Sequence, residues 1–380
     1  MSSIAVNAIT DANAGNTTTI NSVTPNVNNV VGKNRIINGN MVIDQRNAGA
    51  SVTQNLGDVF PVDRWNITGT VTSKFTAEQN AASVTPPAGF ANYLGMTSSS
   101  AYTVGAAETF VVRQKIEGFN TADLSWGTAS AKAVTLSFWV RSSLTGTFGG
   151  ALVNSNSSRC YPFSYTISVA NTWEQKTVTI EGDTSGTWVG ATNAIGINVS
   201  FSLGTGSTYS STAGAWTGSV ALSATGATSV VGTSGATFYI TGVQLEAGSS
   251  ATEFEHRQYT TELQLCQRYY EALSANASSA PSAGGFFAIG VCETAARVQP
   301  YYTFKVSKRA TPSTTLSAIG TFGIRSTSSS VVCTSGGFGS SNNAFAQGEF
   351  NNGGGGLVAG GAAWLTNHTG AATIEWSAEL

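Results

Sequence analysis

The tightest constraint on this chain is an alternation of period two that recurs in block after block. In "AIGINVSFSLG" the residues Ile195, Ile197, Val199, Phe201 and Leu203 share one parity, and "VTLSFWVRSS" repeats this with Val134, Leu136, Phe138 and Val140. Successive side chains of a strand point to opposite faces, so each block reads as a strand with one face in a core. "TFYITGVQLEAG" begins with Phe238 and Ile240 on one parity and continues with Val243 and Leu245 on the other. The break falls at Gly242, where a β-bulge supplies the extra residue. "EQKTVTIEGD" adds Val178 and Ile180, preceded by Trp173. Gly/Ser/Thr-rich turns separate the blocks, and polar loops such as 205–219 belong at a rim. Many short strands with one buried face each predict a β-sandwich over residues 34–250.

One stretch departs from this pattern. "TTELQLCQRYYEAL" (260–273) places Tyr259, Leu263, Cys266, Tyr270 and Leu273 on one helical stripe. Thr252 and Glu255 have capping-box spacing, and Thr260 or Thr261 offers a second start. Two heptads are marginal alone, so packing must hold the helix, either on its own domain or on symmetry mates at a particle axis. The region 251–284 is thus a connecting helix followed by a small-residue linker, "SANASSAPSAG". Strands resume in 285–380, where Phe287, Ile289 and Val291 alternate, as do Tyr302, Phe304 and Val306, and "AATIEWSAEL" closes the chain. The fold class is therefore all-β: a sandwich, one short helix and a smaller C-terminal β-domain. Residues 1–33 are polar and turn-rich, suited to pairing with a neighbouring chain, docking on a larger structure, or fraying.

Composition narrows the function. Hydrophobic residues make up 41% of the 380, which is not a disordered profile, yet only 10% are charged against roughly a quarter in ordinary globular proteins. Ser, Thr, Asn and Gln must supply the polar surface. A net charge of −2 without a Lys/Arg run gives no footprint for nucleic acid or an acidic membrane surface. No apolar run is long enough to span a bilayer, and the first residues lack the basic start and apolar core of a signal peptide. Cys160, Cys266, Cys292 and Cys333 are too dispersed for a disulfide framework or a zinc site and read as small buried hydrophobes. A serine triad would have to use His256 or His368, and neither lies in a recognisable motif. A glycosidase needs only two of the 20 Asp and Glu, but the repeats of a β-helical depolymerase are missing. The Gly-rich 348–367 stretch lacks a phosphate-loop pattern, and no Asp-rich Ca2+ loop is present. No enzyme, cofactor or metal site is expected. Binding suits the chain better, because a sugar ring stacks its apolar face on an aromatic side chain while polar groups read its edge. The loop aromatics Trp126, Trp188, Tyr209, Trp216 and, in the C-terminal domain, Trp364 are the candidate ligand contacts.

Two segments carry a family resemblance. "KNRIINGNMVIDQRNAG" with "FPVDRW" (33–49 and 60–65) resembles the start of a domain recurrent in bacteriophage tail-fibre and other virion proteins, and "FYITGVQLEAGSSATEFEHRQYTTELQLCQRYYEAL" (238–273) resembles its end. "KRATPSTTLS" and the terminal "SAEL" are similar to the C-terminal β-domain that often follows. The resemblance implies a jelly roll of the carbohydrate-binding-module type in a tail-fibre or spike subunit. Such a subunit attaches to other virion proteins through residues 1–33 and to host glycan or protein by weak, repeated contacts. It implies a closed homo-oligomer, with a trimer as first expectation. Location would be the virion, assembled in host cytoplasm and extracellular when mature. A capsid-fibre or head-decoration protein and a polysaccharide-degrading tail spike are the alternatives. Asp63 and Arg64, with Arg46, read as a structural polar cluster pinning the sandwich edge. Glu246 and Glu255 read as partners of backbone or Arg257.

Overall fold

The computed structural model describes residues 32–274, 285–326 and 330–380. The expected attachment segment and linker thus fall almost wholly outside the described residues. Two six-stranded antiparallel sheets pack face to face. In spatial order the first holds Val52–Thr53, Phe75–Gln79, Leu94–Ser98, Thr237–Ala247, Val134–Ser142 and Glu174–Ile180. The second holds Val59–Val62, Trp65–Gly69, Thr109–Glu117, Ile195–Thr205, Gly146–Val153 and Cys160–Ile167. Consecutive strands such as Leu94–Ser98, Thr109–Glu117 and Val134–Ser142 switch between sheets, which wraps the chain as a jelly roll.

The alternation fills the space between the sheets. Val134, Leu136, Phe138 and Val140 from one sheet meet Ile197, Val199, Phe201 and Leu203 from the other, and all eight are buried. Phe138 sits edge-to-face on Phe201 at 4.9 Å and on Tyr165 at 5.0 Å, the geometry aromatic quadrupoles favour. Gly242 has φ +60°, and the register against the neighbouring strand shifts between Thr241 and Gln244. That is the bulge the parity break called for, and it keeps Phe238, Ile240, Val243 and Leu245 all in the core.

The two sequence blocks around 34–47 and 243–267 pack against each other. Val243 donates to the Gly39 carbonyl at 2.9 Å and Arg35 to the Leu245 carbonyl at 2.9 Å. A Cβ at Gly39 would collide with the Val243 carbonyl oxygen, so the approach requires glycine. Asn38 acts as a buried rivet: its amide donates to the carbonyls of Ile43 (2.8 Å) and Asp63 (2.9 Å) and accepts from Ile43 N–H (2.9 Å). The Trp65 indole donates to the Asn38 carbonyl at 3.0 Å.

The helix is shorter than its apolar stripe suggests. It spans Tyr259–Gln267, and Tyr270–Ser274 is a strand paired with Thr373–Ser377. Tyr270 and Leu273 therefore leave the stripe: the pairing edge offered by the C-terminal strand outcompetes two more helical turns, and spacings of four and three do not exclude a strand. Thr252 and Glu255 do not cap the helix. Thr252 bonds Glu246, while the Glu255 carboxylate accepts from Gly32 N–H (2.7 Å) and Asn34 N–H (2.8 Å). Cys266 and Leu263 pack within the chain on Ile37, Ile43 and Tyr269, leaving Tyr259 exposed. The helix thus joins the domains of one chain.

The C-terminal domain stacks a three-stranded sheet (Tyr270–Ser274, Thr373–Ser377, Ser313–Leu316) on a seven-stranded one. The latter runs Ser330–Val332, Phe322–Ser326, Ala362–Asn367, Phe286–Cys292, Arg297–Thr303, Phe345–Asn351, Ser335–Ser341. Trp376, with Tyr302 stacked on it at 4.7 Å, centres the core between them. Phe287, Ile289 and Val291 do not share the inner face. A register shift between Phe286 and Ala288 turns both Phe287 and Ala288 inward and leaves Phe286, Ile289 and Val291 outward. All four cysteines are free and buried.

Buried charges tie the domains together. Arg46 and Arg64 both reach Glu379, and Arg64 and Arg46 lie over the rings of Tyr269 (3.5 Å) and Tyr270 (3.6 Å). Arg268 grips Glu117 at 2.8 and 2.9 Å; inside the C-terminal domain the fully buried Lys308 and Glu271 meet at 2.6 Å, and Lys308 also donates to the Gln267 carbonyl at the end of the helix at 2.6 Å. The Asp63–Arg64–Arg46 cluster consequently pins the domain junction as well as the sandwich edge.

Candidate functional site

Three of the five candidate aromatics, separated by up to 90 positions in sequence, converge at one end of the sandwich. Trp126 lies edge-to-face on Trp188 at 4.7 Å and on Trp216 at 5.2 Å, and Trp188 and Trp216 are 5.4 Å apart. Each comes from a loop that other groups hold in place. Gly127 N–H donates to the Asp183 carbonyl at 2.7 Å, and Thr217 and Cys160 exchange backbone bonds at 2.8 and 3.0 Å. Arg159 makes a two-pronged pair with Asp183 at 2.7 Å each. Every indole N–H is occupied: Trp126 donates to Lys132 O (2.7 Å), Trp188 to Asp183 Oδ2 (3.2 Å) and Trp216 to Glu181 O (2.7 Å). Burial alone would raise the Asp183 pKa, but the Arg159, Ser185 and Trp188 donors outweigh it and hold the carboxyl below its usual range.

These ties build a cleft of about 420 Å3, a size at the lower end of small-ligand sites. Trp126 and Trp188 form its aromatic wall, and Ser125, Thr128 and Ser130 border it. Trp126 is only 7% exposed, so it backs the wall while the half-buried Trp188 offers a ring to solvent. Trp216 supports the pair from behind, with Tyr161 at 5.2 Å on its far side. No charged side chain lines the cleft, and the nearby Asp123 is held by Arg35 at 2.7 and 2.8 Å. An aromatic ring beside hydroxyls without charge can stack an apolar face and hydrogen-bond a polar edge.

Tyr209 and Trp364 do not join this cleft. Tyr209 ends a short turn, Ser207–Tyr209, where its carbonyl accepts from Leu222 N–H at 2.8 Å. Trp364 lies on the seven-stranded sheet with Phe286 at 6.0 Å. The hydroxyl residues of the cleft were not singled out in the sequence, and the only local signal was Ser125 and Gly127 bracketing Trp126. Among the described residues, no cluster of three or more His, Cys, Asp and Glu could hold a metal ion, and no helix is long and apolar enough to cross a membrane.

No protein-family model matches the chain, and no curated protein sequence matches it. Solved structures show a weak likeness. A putative sugar binding protein from Bacteroides thetaiotaomicron VPI-5482 aligns at TM-score 0.33 and 12% identity, over 57% of this chain and 100% of that one. The enzymatically active domain of tailspike protein 4 from Bacteriophage CBA120 aligns at TM-score 0.31 and 12% identity, over 57% of this chain; this chain spans 22% of that one. A family 11 carbohydrate-binding module from Clostridium thermocellum aligns at TM-score 0.26 and 12% identity, over 55% of this chain and 99% of that one. Likeness at this level carries no inference about function. The fold defines the chain's class: an all-β, two-sheet jelly roll with a β-domain docked through a short helix and buried ion pairs.

Proposed function

We propose that this chain is a bacteriophage virion structural protein, a tail-fibre or spike subunit that attaches to the host surface by binding glycan without cleaving it. The cleft at Trp126 and Trp188 carries the binding half of this reading: a ring open to solvent, hydroxyls at its edge and no lining charge form a surface for a saccharide. The virion half rests on the resemblance of residues 33–49, 60–65 and 238–273. The close packing of those two blocks, through Asn38 N–H on the Glu262 carboxylate and through Gly39, Glu255 and Cys266, gives them a shared structural reason to recur together. One weak site per chain becomes useful when many copies sit on one particle, since effective concentration multiplies affinity.

The test is a glycan array probed with the full-length protein and its Trp188→Ala variant, followed by retention on host cells. Binding that falls roughly tenfold or more in the variant, the scale of one lost stacking contact of about 1.4 kcal/mol, supports the cleft. Equal binding by both proteins removes the cleft from the reading. Release of soluble oligosaccharide from a bound glycan would replace attachment with catalysis.

A further inference from the structure

A second and larger cleft, about 810 Å3, lies against the same turns that wall the first. The short turns Gly118–Asn120 and Ala122–Leu124 stand between the two. Thr121 and Ala122 line the Trp126 cleft, whereas Phe119, Asn120 and Asp123 line the second. The lining passes from one cleft to the other between the consecutive residues Asn120 and Thr121, about 3.8 Å of chain, so the clefts abut. Across from Phe119, the second cleft is bounded by His256, Gln258 and Thr261.

Phe119 is a large aromatic left 56% exposed on a fixed turn. Its N–H donates to the Thr192 carbonyl at 2.9 Å, and Gly118 N–H donates to the Ala194 carbonyl at 2.8 Å. A Cβ at Gly118 would collide with the Gly190 carbonyl oxygen, so the turn sits tight on its neighbour. The charges around the cleft are matched within the chain. Arg35 holds Asp123 at 2.7 and 2.8 Å, and Arg257 lies 3.6 Å from Glu255 and donates to the Ile36 carbonyl at 3.0 Å. What remains for a ligand is the Phe119 ring, the amides of Asn120 and Gln258, the Thr261 hydroxyl and the His256 imidazole. The imidazole is set in place by Phe254 at 4.9 Å and Phe90 at 5.4 Å, and it makes no hydrogen bond among the described residues.

We propose that the two clefts form one groove, and that its ligand is a neutral oligosaccharide long enough to cross the 118–124 turns, with one sugar on Trp188 and another on Phe119. The inference rests on the glycan-binding reading of the first cleft and adds the length and charge of the glycan. An exposed ring beside amides and a hydroxyl repeats the chemistry of the Trp188 wall: an apolar face to stack on and polar groups to read an edge. An acidic sugar would need an unpaired cation, and Arg35 and Arg257 are both engaged. A protein partner would need a broad contiguous face, whereas Phe119 is a single exposed ring among polar groups. Once one sugar is held on Trp188, the next contact along the same chain is intramolecular, so a weak second subsite adds affinity through effective concentration.

The experiment titrates the full-length protein with neutral oligosaccharides in homologous series of one to six sugars, drawn from the saccharides on the array. Wild-type affinity should rise roughly tenfold or more from the shortest bound member to the longest, the scale of one further stacking contact. Phe119→Ala should lose that gain and keep the wild-type affinity for the shortest member. Thr261→Arg, which fills the opposite wall from an exposed position, should do the same. Trp188→Ala should weaken every length. A wild type whose affinity ignores length, or a Phe119→Ala variant that keeps the gain, overturns the proposal while leaving the first cleft in place. So does a Phe119→Ala variant that binds the shortest member as poorly as the longest, because the turn then only supports the first cleft. Loss of host-cell retention in Phe119→Ala with saccharide binding unchanged would assign the second cleft to a protein partner instead. A wild type that binds no saccharide of any length removes the glycan reading and this inference together.

Discussion

The sandwich and the C-terminal domain use the same alternating strands and treat them differently. In the sandwich, two six-stranded sheets of matched size cover each other, so Phe138, Phe201 and Phe238 all reach zero exposure. In the C-terminal domain a three-stranded sheet covers one face of a seven-stranded sheet, and the other face keeps Ile289 and Val291 in solvent. Equal sheets complete their own burial; unequal sheets leave a face for something else. Apolar residues in the two regions look alike in sequence, yet their contributions to stability should differ by several kcal/mol.

The largest effects should come from the groups that the sandwich and the junction seal off. Phe138→Ala leaves a cavity between the sheets and should cost about 3–5 kcal/mol in denaturant unfolding. A loss below about 1 kcal/mol would mean that the core relaxes and the contrast between the domains is weak. Beside the junction, inside the C-terminal domain, Glu271→Ala strands the buried Lys308 ammonium and should cost about 3–5 kcal/mol, whereas Glu271→Leu with Lys308→Met should recover most of it. Burial lowers the Lys308 pKa against the pull of Glu271, so the pair is held by each partner's presence. A double variant no better than the single one would show that the pair's geometry, and not its charge balance, is required.

A smaller effect tests the electrostatics of the same junction. Burial raises the Asp63 pKa from 3.8 to about 6, against the opposing pull of Arg46 and Gln45. A carboxyl whose folded pKa is raised contributes stability that is full below its unfolded value and fades as pH rises through its folded one. The stability of the wild type relative to Asp63→Asn should therefore fall between about pH 4 and pH 6, followed as the difference in Tm across that range. The sandwich carboxylates Asp58, Asp123 and Asp183 run the other way. For Asp58 and Asp183 burial pushes the pKa up but hydrogen-bond donors and basic partners outweigh it, and for Asp123 the Arg35 hydrogen bond dominates. All three sit low, so their contribution is present at neutral pH and lost on acidification. A Tm difference that grows with pH would mean Asp63 is needed as a carboxylate.

The smallest effect sharpens the comparison most. Ile289→Ser should change the unfolding free energy of the chain by no more than about 0.5 kcal/mol, as for surface positions elsewhere. A cost near that of Phe138→Ala would show that the outer face is already covered within the chain.

Much of this was readable in the chain itself. Period two gave the strands because strand geometry is local: Val134 to Val140 and Ile197 to Leu203 needed no partner to declare their shared face. The bulge at Gly242 was legible for the same reason, since a parity break and a glycine coincide there. The helix was half legible, because the stretch beyond Gln267 is too short to declare a period and only the distant Thr373–Ser377 edge decides between helix and strand. Ile289 and Val291 misled for a related reason. Alternation says that two residues share a face but not whether another sheet covers it, and the bulge that moves Phe287 away has no glycine to mark it. The aromatic site divides in the same way. Composition and loop position pointed to five rings, but nothing local distinguishes Trp188 from Tyr209. Three loops had to close through Gly127, Arg159 and Thr217 before Trp126, Trp188 and Trp216 met. What depends on neighbours along the chain was set by the sequence alone, and what depends on which surfaces meet across the fold was decided only by the tertiary structure.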